Sequence, residues 1–378
     1  MYSSLPLEGM QRTRSQDIIG GIRIALKEAG ARAGRFEVRY KSLDDATSGT
    51  RAWAQEAVSR NALRAAGDDS TAAYIGELNS GASAVSIPIL SRGKVPQISP
   101  SNTAVGLTTS EPGADEDEPD TYYVGGFRNY VRIVPRDTVQ GDAIATVMRQ
   151  DGCERVALVH DLDRHGRGLA RVLRRSSATR GLRLVLDEPI TSRSAASRRS
   201  LAASAARHRA DCAVFSADTS RGTVMVVETL ARALPRARLY GSAGVADRAF
   251  TDDDLGGLPR RVAARVKLTL PIPGRDGLGA AAKRFYEKFA REHPDVRRPN
   301  PYAIYGYEAM KLALSVIARS GTAEREDIVK ALFDTEDRRS VIGTYSIDAN
   351  GDTSLADYGL FAIRDGELFL ERRITTTD

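Results

Sequence analysis

Residues 71–108 read TAAYIGELNSGASAVSIPILSRGKVPQISPSNTAVGLT and contain two strand-to-turn units in succession. The short apolar strand 71–75 is followed by a turn in which Ser80 stands at the position of a helix N-cap. The next strand, 95–98, runs directly into the hydroxyl-rich turn 99–103. The N–H groups at such a helix start attract anions. Because neighbouring parallel strands end at the same edge of a sheet, the two turns predict a polar cradle for a small anionic group.

The composition bounds the classes of protein to consider. The chain has 378 residues, of which 42% are hydrophobic, enough for two domains with apolar cores. No segment approaches the roughly 18 consecutive apolar residues of a membrane span. No apolar signal region follows Met1, so we expect an export segment to lie upstream. The net charge of +6 arises from 55 basic and 49 acidic residues, a mixed surface that predicts no nucleic-acid partner.

Strand and helix patterns alternate along almost the whole chain, which predicts parallel sheets with helices on both faces. Residues 18–29 carry a helical apolar stripe, and residues 36–40 alternate as a strand. Asp44 and Asp45 follow that strand. They are expected to cap a helix over residues 48–66 rather than to bind a ribose.

Seven segments, in this order and approximate spacing, resemble the type I periplasmic binding proteins, in particular the leucine/isoleucine/valine-binding family of transporter receptors. Together they cover nearly the whole chain. They are YIGELNS (74–80), ISPSNT (98–103), ALVHD (157–161), HGRGLA (165–170), GSAGVA (241–246), YGYEA (305–309) and GTYSID (343–348).

The resemblance implies an α/β fold of two doubly wound parallel-sheet lobes joined by a three-segment hinge. The first lobe would take residues 1–135 plus 271–348. The second would take residues 136–270 plus 349–378. This discontinuity follows from the resemblance, since strand counting alone indicates two consecutive domains.

The resemblance also implies a ligand site at the strand ends of both lobes. Ser80, Ser101 and Thr103 match positions that hold the carboxylate of bound amino acids. Ser4, at the end of the first strand, is expected to reach the same site. Taken alone, such hydroxyl residues are ordinary helix caps and turn formers. Tyr307 matches an aromatic wall of the cleft, although by itself it reads as a core tyrosine.

Two positions of the second lobe depart from the family pattern. His165 stands where a tyrosine stacks on the ligand, and it places a titratable ring there. Ala243 takes the place of the acid that binds the ligand's ammonium, although Asp218 or Asp247 could supply that charge if their loops bend inward. Burying an unpaired ammonium is expensive. We therefore expect a carboxylate-bearing ligand without an α-ammonium, such as a small organic acid, rather than a branched-chain amino acid.

Signatures of catalysis and cofactor binding are missing. The sequence contains no nucleophile elbow, P-loop or dinucleotide-binding turn, so neither an enzyme nor a cofactor is expected. The segment from His160 to His165 superficially resembles a metal cluster. Successive side chains at a strand end point to opposite faces, so we expect a polar loop and no metal there.

The implied function is reversible, non-catalytic capture of a small anionic or zwitterionic solute between two lobes that close by a hinge motion. The implied partner is the membrane permease of an ABC transporter. The protein would be mostly monomeric and extracytoplasmic, in a periplasm or anchored by lipid to the cell surface. The alternative is a ligand-sensing module of the same fold, which a neighbouring kinase or cyclase gene would favour.

Cys153 and Cys212 each precede a predicted strand of the second lobe. In a doubly wound sheet of order 2-1-3 these two strands are neighbours. Strands about 4.8 Å apart bring such residues within disulfide reach. We predict a disulfide, and the alternative is a pair of inert buried thiols.

Overall fold

The computed structural model describes residues 1–47, 52–191, 194–271 and 279–374. Its strands are β1 (Tyr2–Leu5), β2 (Arg32–Ala33), β3 (Phe36–Glu37), β4 (Lys41–Asp44), β5 (Tyr74–Gly76), β6 (Gln97–Ser99), β7 (Tyr130–Arg132), β8 (Arg155–His160), β9 (Arg183–Pro189), β10 (Cys212–Ser216), β11 (Arg238–Gly241), β12 (Val266–Leu270), β13 (Arg338–Ser340), β14 (Gly343–Tyr345), β15 (Tyr358–Arg364) and β16 (Glu367–Ile374).

Helices follow most of the strands, as the alternating apolar pattern predicts. They are α1 (Arg12–Glu28), α2 (Gln55–Ala66), α3 (Ser80–Arg92), α4 (Asp137–Gln150), α5 (Arg164–Thr179), α6 (Ala195–Arg207), α7 (Arg221–Ala233), α8 (Arg248–Thr251), α9 (Arg260–Ala263), α10 (Ala280–Glu292), α11 (Ala303–Ser320) and α12 (Arg325–Phe333). In the described part of the chain, none of these helices has both the length and the apolar character needed to cross a bilayer.

The chain divides into two compact units. The first comprises Met1–Ser110, Ala114–Pro135 and Leu278–Leu355, and the second comprises Glu111–Gly113, Arg136–Gly277 and Ala356–Asp378. We predicted that the last segment of the second lobe begins at residue 349. In the structure, residues 349–355 belong to the first unit.

The reason is a buried ion pair inside the first unit. Asp352 accepts a hydrogen bond from Arg132 Nε at 2.6 Å, and the Arg132 side chain is fully buried. Thr108 Oγ1 donates to the same carboxylate at 3.0 Å. These contacts hold the segment around Asp352 against β7.

The first unit is built on a five-stranded parallel sheet of order β4-β1-β5-β6-β7. Every residue of β5 and β6 is buried, as expected for strands covered by helices on both faces. Helices α1 and α11 approach closely through two glycines. A Cβ on Gly21 would lie 2.1 Å from Ala303 O, and one on Gly306 would lie 2.2 Å from Ile18 O.

The second unit contains a seven-stranded sheet of order β16-β15-β12-β11-β10-β8-β9. Five of its strands, β8 to β12, are parallel and doubly wound, whereas β15 and β16 form an antiparallel hairpin on β12. The prediction of parallel sheets therefore missed this hairpin. Because β8 and β10 are neighbours, Cys153 and Cys212 lie close together, and the structure joins them in a disulfide with a Cα–Cα distance of 5.8 Å.

The second helix was predicted to begin at residue 48, but the described residues 52–54 are not helical. Helix α2 begins at Gln55 after Ala54, and no side chain caps it. Asp44 instead closes the turn after β4, where its Oδ1 accepts from Leu7 N at 2.8 Å and Ala46 N at 2.9 Å. Residues 48–51 of the predicted helix lie outside the described residues.

Candidate functional site

The cradle predicted in the first unit lies where β5 leads into α3. Asn79 occupies the N-cap position and its side chain makes no capping hydrogen bond, so Ser80 is the first helical residue instead of the predicted cap. Ser80 is buried, and its Oγ accepts a hydrogen bond from Ala104 N at 3.3 Å. The N–H groups of the first helical turn are therefore not capped by Asn79 or Ser80, which suits anion binding.

The turn after β6 is locked onto the turn after β5. Ser101 Oγ donates to Leu78 O at 2.9 Å, and Asn102 Nδ2 donates to Leu78 O and Glu77 O, both at 3.0 Å. Thr103 follows and is also buried. Ser80, Ser101 and Thr103 thus belong to one connected pair of turns. Asn102 was not among the predicted site residues. An amide side chain between two turn-forming hydroxyl residues is a sequence signal for hydrogen bonds that join two turns.

Ser4 lies beside Gly76 in the register of β1 and β5. It is fully buried, and its Oγ accepts from Asn61 Nδ2 of α2 at 3.1 Å. This hydroxyl therefore bonds to α2, and it also lies within hydrogen-bonding reach of the Glu77 carboxyl.

Tyr307 does not lie at this edge of the sheet, contrary to the prediction. Its hydroxyl donates to Glu28 Oε2 at 2.6 Å, and its ring packs on Phe285 with the ring centroids 5.0 Å apart. Glu28 is the last residue of α1, whereas the carboxyl edge of the sheet meets the first turn of that helix. Tyr307 is therefore a core residue between α1, α10 and α11.

A positive charge that sequence reasoning missed is buried in the first turn of α1. The Arg14 side chain is only 4% exposed, and its guanidinium lies 4.0 Å from the centroid of the Tyr302 ring. The first turn of α1 follows β1, so Arg14 adds positive potential on the side of the sheet that carries the cradle. The sequence signal for this buried charge is an arginine in the first turn of the helix that follows the first strand.

In the second unit, His165 forms the centre of a buried polar network. The imidazole Nδ1 lies 3.2 Å from Asp137 Oδ2, and Nε2 lies 3.3 Å from Ser242 Oγ. Burial alone would lower the pKa of His165, but the carboxylates of Asp137, Asp218 and Asp161 outweigh it and raise that pKa to about 9. At neutral pH the ring is therefore an imidazolium that donates from both nitrogens.

Two more carboxyl groups near His165 have raised pKa values. Burial, followed by the negative charge of Asp218, raises the pKa of Asp161 to about 7 and that of Asp163 to about 6. Asp161 Oδ2 also accepts from Asp218 N at 2.7 Å, which ties the loops after β8 and β10 together.

Ala243, predicted to replace the ammonium-binding acid of the family, is buried at the start of a 3₁₀ turn. Asp218 lies close by, because a Cβ on Gly244 would come within 2.6 Å of Asp218 Oδ1. Asp247 is different: its Oδ1 accepts from Ala249 N at 2.9 Å and caps α8. Of the two candidate replacements, Asp218 is the one beside His165.

Asp137, His165 and Ser242 are connected in the order of a hydrolase triad, yet a protonated His165 ring cannot act as the general base of that triad. A general base must offer a lone pair to the serine hydroxyl, and an imidazolium has none. Ser242 is also fully buried, and its Oγ donates to Ala217 O at 3.4 Å. Among the described residues, the group with metal-ligand spacing is Cys153, Asp211 and Cys212, whose two sulfurs form the disulfide.

Solved structures with the same fold cover nearly the whole chain. A leucine binding protein LivK from Thermotoga maritima has a TM-score of 0.80 at 21% identity and covers 99% of this chain and 97% of its own. LivJ from Streptococcus pneumoniae, in complex with isoleucine, has a TM-score of 0.80 at 18% identity, with coverage of 99% and 97%. An R. palustris solute binding protein in complex with benzoate has a TM-score of 0.78 at 18% identity, with coverage of 98% and 95%.

The TM-scores, at these low sequence identities, establish a shared fold, and the predicted type I periplasmic binding protein fold is confirmed. A comparison of the chain with curated proteins finds no match. The family model described as periplasmic binding protein matches residues 4–367. This chain therefore belongs to the periplasmic binding protein family, whose members are non-enzymatic, extracytoplasmic solute-binding proteins.

Proposed function

We propose that this protein captures a small carboxylate-bearing solute, an organic acid or an amino acid, and delivers it to the permease of an ABC importer. The observation that carries the proposal is the start of α3, where the N-cap residue Asn79 makes no side-chain capping hydrogen bond and the hydroxyls of Ser80, Ser101 and Thr103 belong to the two linked turns. A helix start of this kind binds a carboxylate without a charged side chain. Arg14 adds positive potential to the same unit.

The solved relatives support a carboxylate as the common feature of the ligand. Isoleucine is bound in one of these structures and benzoate in another, and the carboxylate is the group that the two ligands share. The name of the Thermotoga protein adds leucine to this set. ABC transporter components among the matched structures support a permease as the partner of this chain.

The choice between an organic acid and an amino acid depends on the second unit. Ala243 provides no charge for an ammonium, which favours an acid without an α-amino group. Asp218 is the residue that would reverse this preference, because its carboxylate lies next to Gly244. We retain the preference for an organic acid and propose that Asp218 decides whether a ligand with an ammonium group is accepted.

A thermal-shift screen against amino acids, aliphatic acids and aromatic acids tests the proposal, because a ligand that binds only the native state must raise the melting temperature. We expect calorimetry to show tighter binding of the deaminated acids than of leucine or valine. Sub-micromolar binding of leucine or valine without any response to the deaminated acids would reverse the preferred ligand class. No shift with any carboxylate would remove the proposed function.

Replacing Ser80 by alanine should weaken binding of the ligand found in that screen by about 1.5–3 kcal/mol, the value of a hydrogen bond to a charged group. Stability should fall less, by about 1 kcal/mol, because Ala104 N loses its acceptor. Calorimetry and thermal unfolding of the same samples separate the two effects.

Ser91→Ala is the matched control, since Ser91 is a buried serine at the other end of the same helix and its Oγ donates to Phe127 O at 2.7 Å. This variant should change stability but not affinity. If Ser80→Ala lowers stability and leaves affinity unchanged, Ser80 only supports the fold.

A further inference from the structure

Two acidic side chains meet in the interior of the first unit, and the proposed function does not use them. Asp45 follows β4 and Glu77 follows β5, the two strands that flank β1. Both residues are 0% exposed, and the two carboxyl groups lie within hydrogen-bonding reach of each other. A hydrogen bond between them requires a proton on one of the two acids, because a carboxylate can only accept.

The surroundings of the pair provide few donors. Tyr74 OH donates to Glu77 Oε1 at 2.7 Å. The hydroxyls of Ser4 and Ser86 also lie within hydrogen-bonding reach of the Glu77 carboxyl, whereas both oxygens of Asp45 are buried and accept no hydrogen bond from the described residues. Two ionised carboxylates buried in this setting would carry an unpaired negative charge, which is strongly unfavourable.

The groups facing the pair do not offset that charge. On β4, the neighbouring carboxyl of Asp44 adds a negative charge, and on β5 the facing titratable group is the Tyr74 phenol. Strand β1 contributes the Ser4 hydroxyl and α3 the Ser86 hydroxyl. Burial, followed by the charge of Glu77, raises the pKa of Asp45 well above its ordinary value, and burial raises the pKa of Glu77.

We propose that Asp45 and Glu77 share a proton in the folded protein at neutral pH and that this proton holds the cradle of the first unit in place. The link to the cradle is the main chain of Glu77. Its carbonyl accepts from Ser101 Oγ at 3.2 Å and Asn102 Nδ2 at 3.0 Å, and its N–H donates to Ser83 Oγ at 3.1 Å.

The main chain of Asp45 ties the other side of the pair to the sheet. Asp45 N donates to Leu5 O at 3.3 Å, and Asp45 O accepts from Ala54 N at 2.9 Å. When the shared proton leaves, two adjacent carboxylates repel each other and push the turns that carry them apart. The cradle therefore loosens as the pH rises.

The pH dependence has a definite sign. The folded-state pKa values of both acids lie above their ordinary values of 3.8 and 4.5. The stability that the shared proton contributes is complete below those ordinary values and is lost as the pH rises through the raised folded-state values. The protein should therefore lose stability as the pH rises from about 4, in addition to whatever its other groups contribute.

Glu77→Gln tests this, because a glutamine amide donates to Asp45 at every pH. The ratio of folding constants, variant over wild type, should rise with pH by up to about tenfold per pH unit for one proton. At pH 7, the infrared difference spectrum, wild type minus variant, should contain the carbonyl band of a protonated carboxylic acid. Asp45→Asn should give the same two results, and it replaces Glu77→Gln if that variant does not fold.

Glu28→Gln is the control for the substitution itself. Hydrogen bonds and charge from Tyr307 and Lys288 outweigh the burial of Glu28 and lower the pKa of its carboxyl, so this variant should lose stability above its ordinary pKa of 4.5. A folding ratio for Glu77→Gln that stays constant from pH 5 to pH 9 overturns the proposal, as does a difference spectrum without the acid band. No ligand is used, so the outcome is independent of the proposed function.

Discussion

The Asp352→Ala variant is expected to lose about 3–5 kcal/mol of unfolding free energy in the first unit, the usual cost of breaking a buried ion pair by removing one partner. Arg132 is fully buried, and Asp352 is its charge partner at 2.6 Å. Without the carboxylate, the buried guanidinium loses this charge partner and keeps neutral acceptors such as Ala104 O at 2.7 Å. Urea unfolding followed by fluorescence measures the loss, because the chain's single tryptophan, Trp53, lies in the first unit.

Two further variants make this measurement decisive. Asp334→Ala removes the same side chain from an exposed ion pair with Lys330 in the same unit, and it should leave the midpoint almost unchanged. The double variant Arg132→Met with Asp352→Leu should recover much of the stability, because it leaves no buried charge unpaired. A loss in Asp352→Ala no larger than in Asp334→Ala would contradict the importance given to the buried pair.

Removing the disulfide should lower the stability of the second unit by roughly 4 kcal/mol, the chain-entropy value for a loop of this size. Cys153 and Cys212 are 59 residues apart in the sequence and fully buried. The double variant Cys153→Ala/Cys212→Ala should melt at a lower temperature by circular dichroism. Trp53 lies in the other unit, so its fluorescence does not report this transition.

A reductant provides the control for the disulfide. It should lower the melting temperature of the wild type toward that of the double variant and should not affect the double variant itself. If the wild type melts at the same temperature with and without reductant, and free thiols are detected after reduction, the disulfide does not stabilise the second unit.

Features that depend on short stretches of sequence could be predicted. The apolar strands followed by hydroxyl-rich turns at residues 71–103 correspond to β5, the start of α3 and β6, because neighbouring residues determine both strand ends and turns. The N-cap assignment was off by one, since Asn79 and Ser80 are both good caps and only the backbone distinguishes them.

Features that depend on distant residues could not be predicted. The pKa of His165 is raised by the carboxylates of Asp137 and Asp218, which lie on two other segments, and nothing in the sequence around His165 indicates that these segments converge there. Asp352 joins the first unit because of Arg132, 220 residues away. Tyr307 was assigned by family resemblance, and its partner Glu28 is likewise remote in sequence.

The contact between α1 and α11 determines when during synthesis the first unit can be completed. Ile18 and Ile22 of α1 are fully buried, and Gly306 of α11 lies against the Ile18 carbonyl. The ribosome releases α1 long before α11, because Arg136–Gly277 of the second unit lies between them in the chain. The apolar face of α1 thus stays uncovered until most of the polypeptide exists. A nascent chain with this order of assembly remains incompletely folded, and therefore threadable through a translocation pore, until synthesis is almost finished.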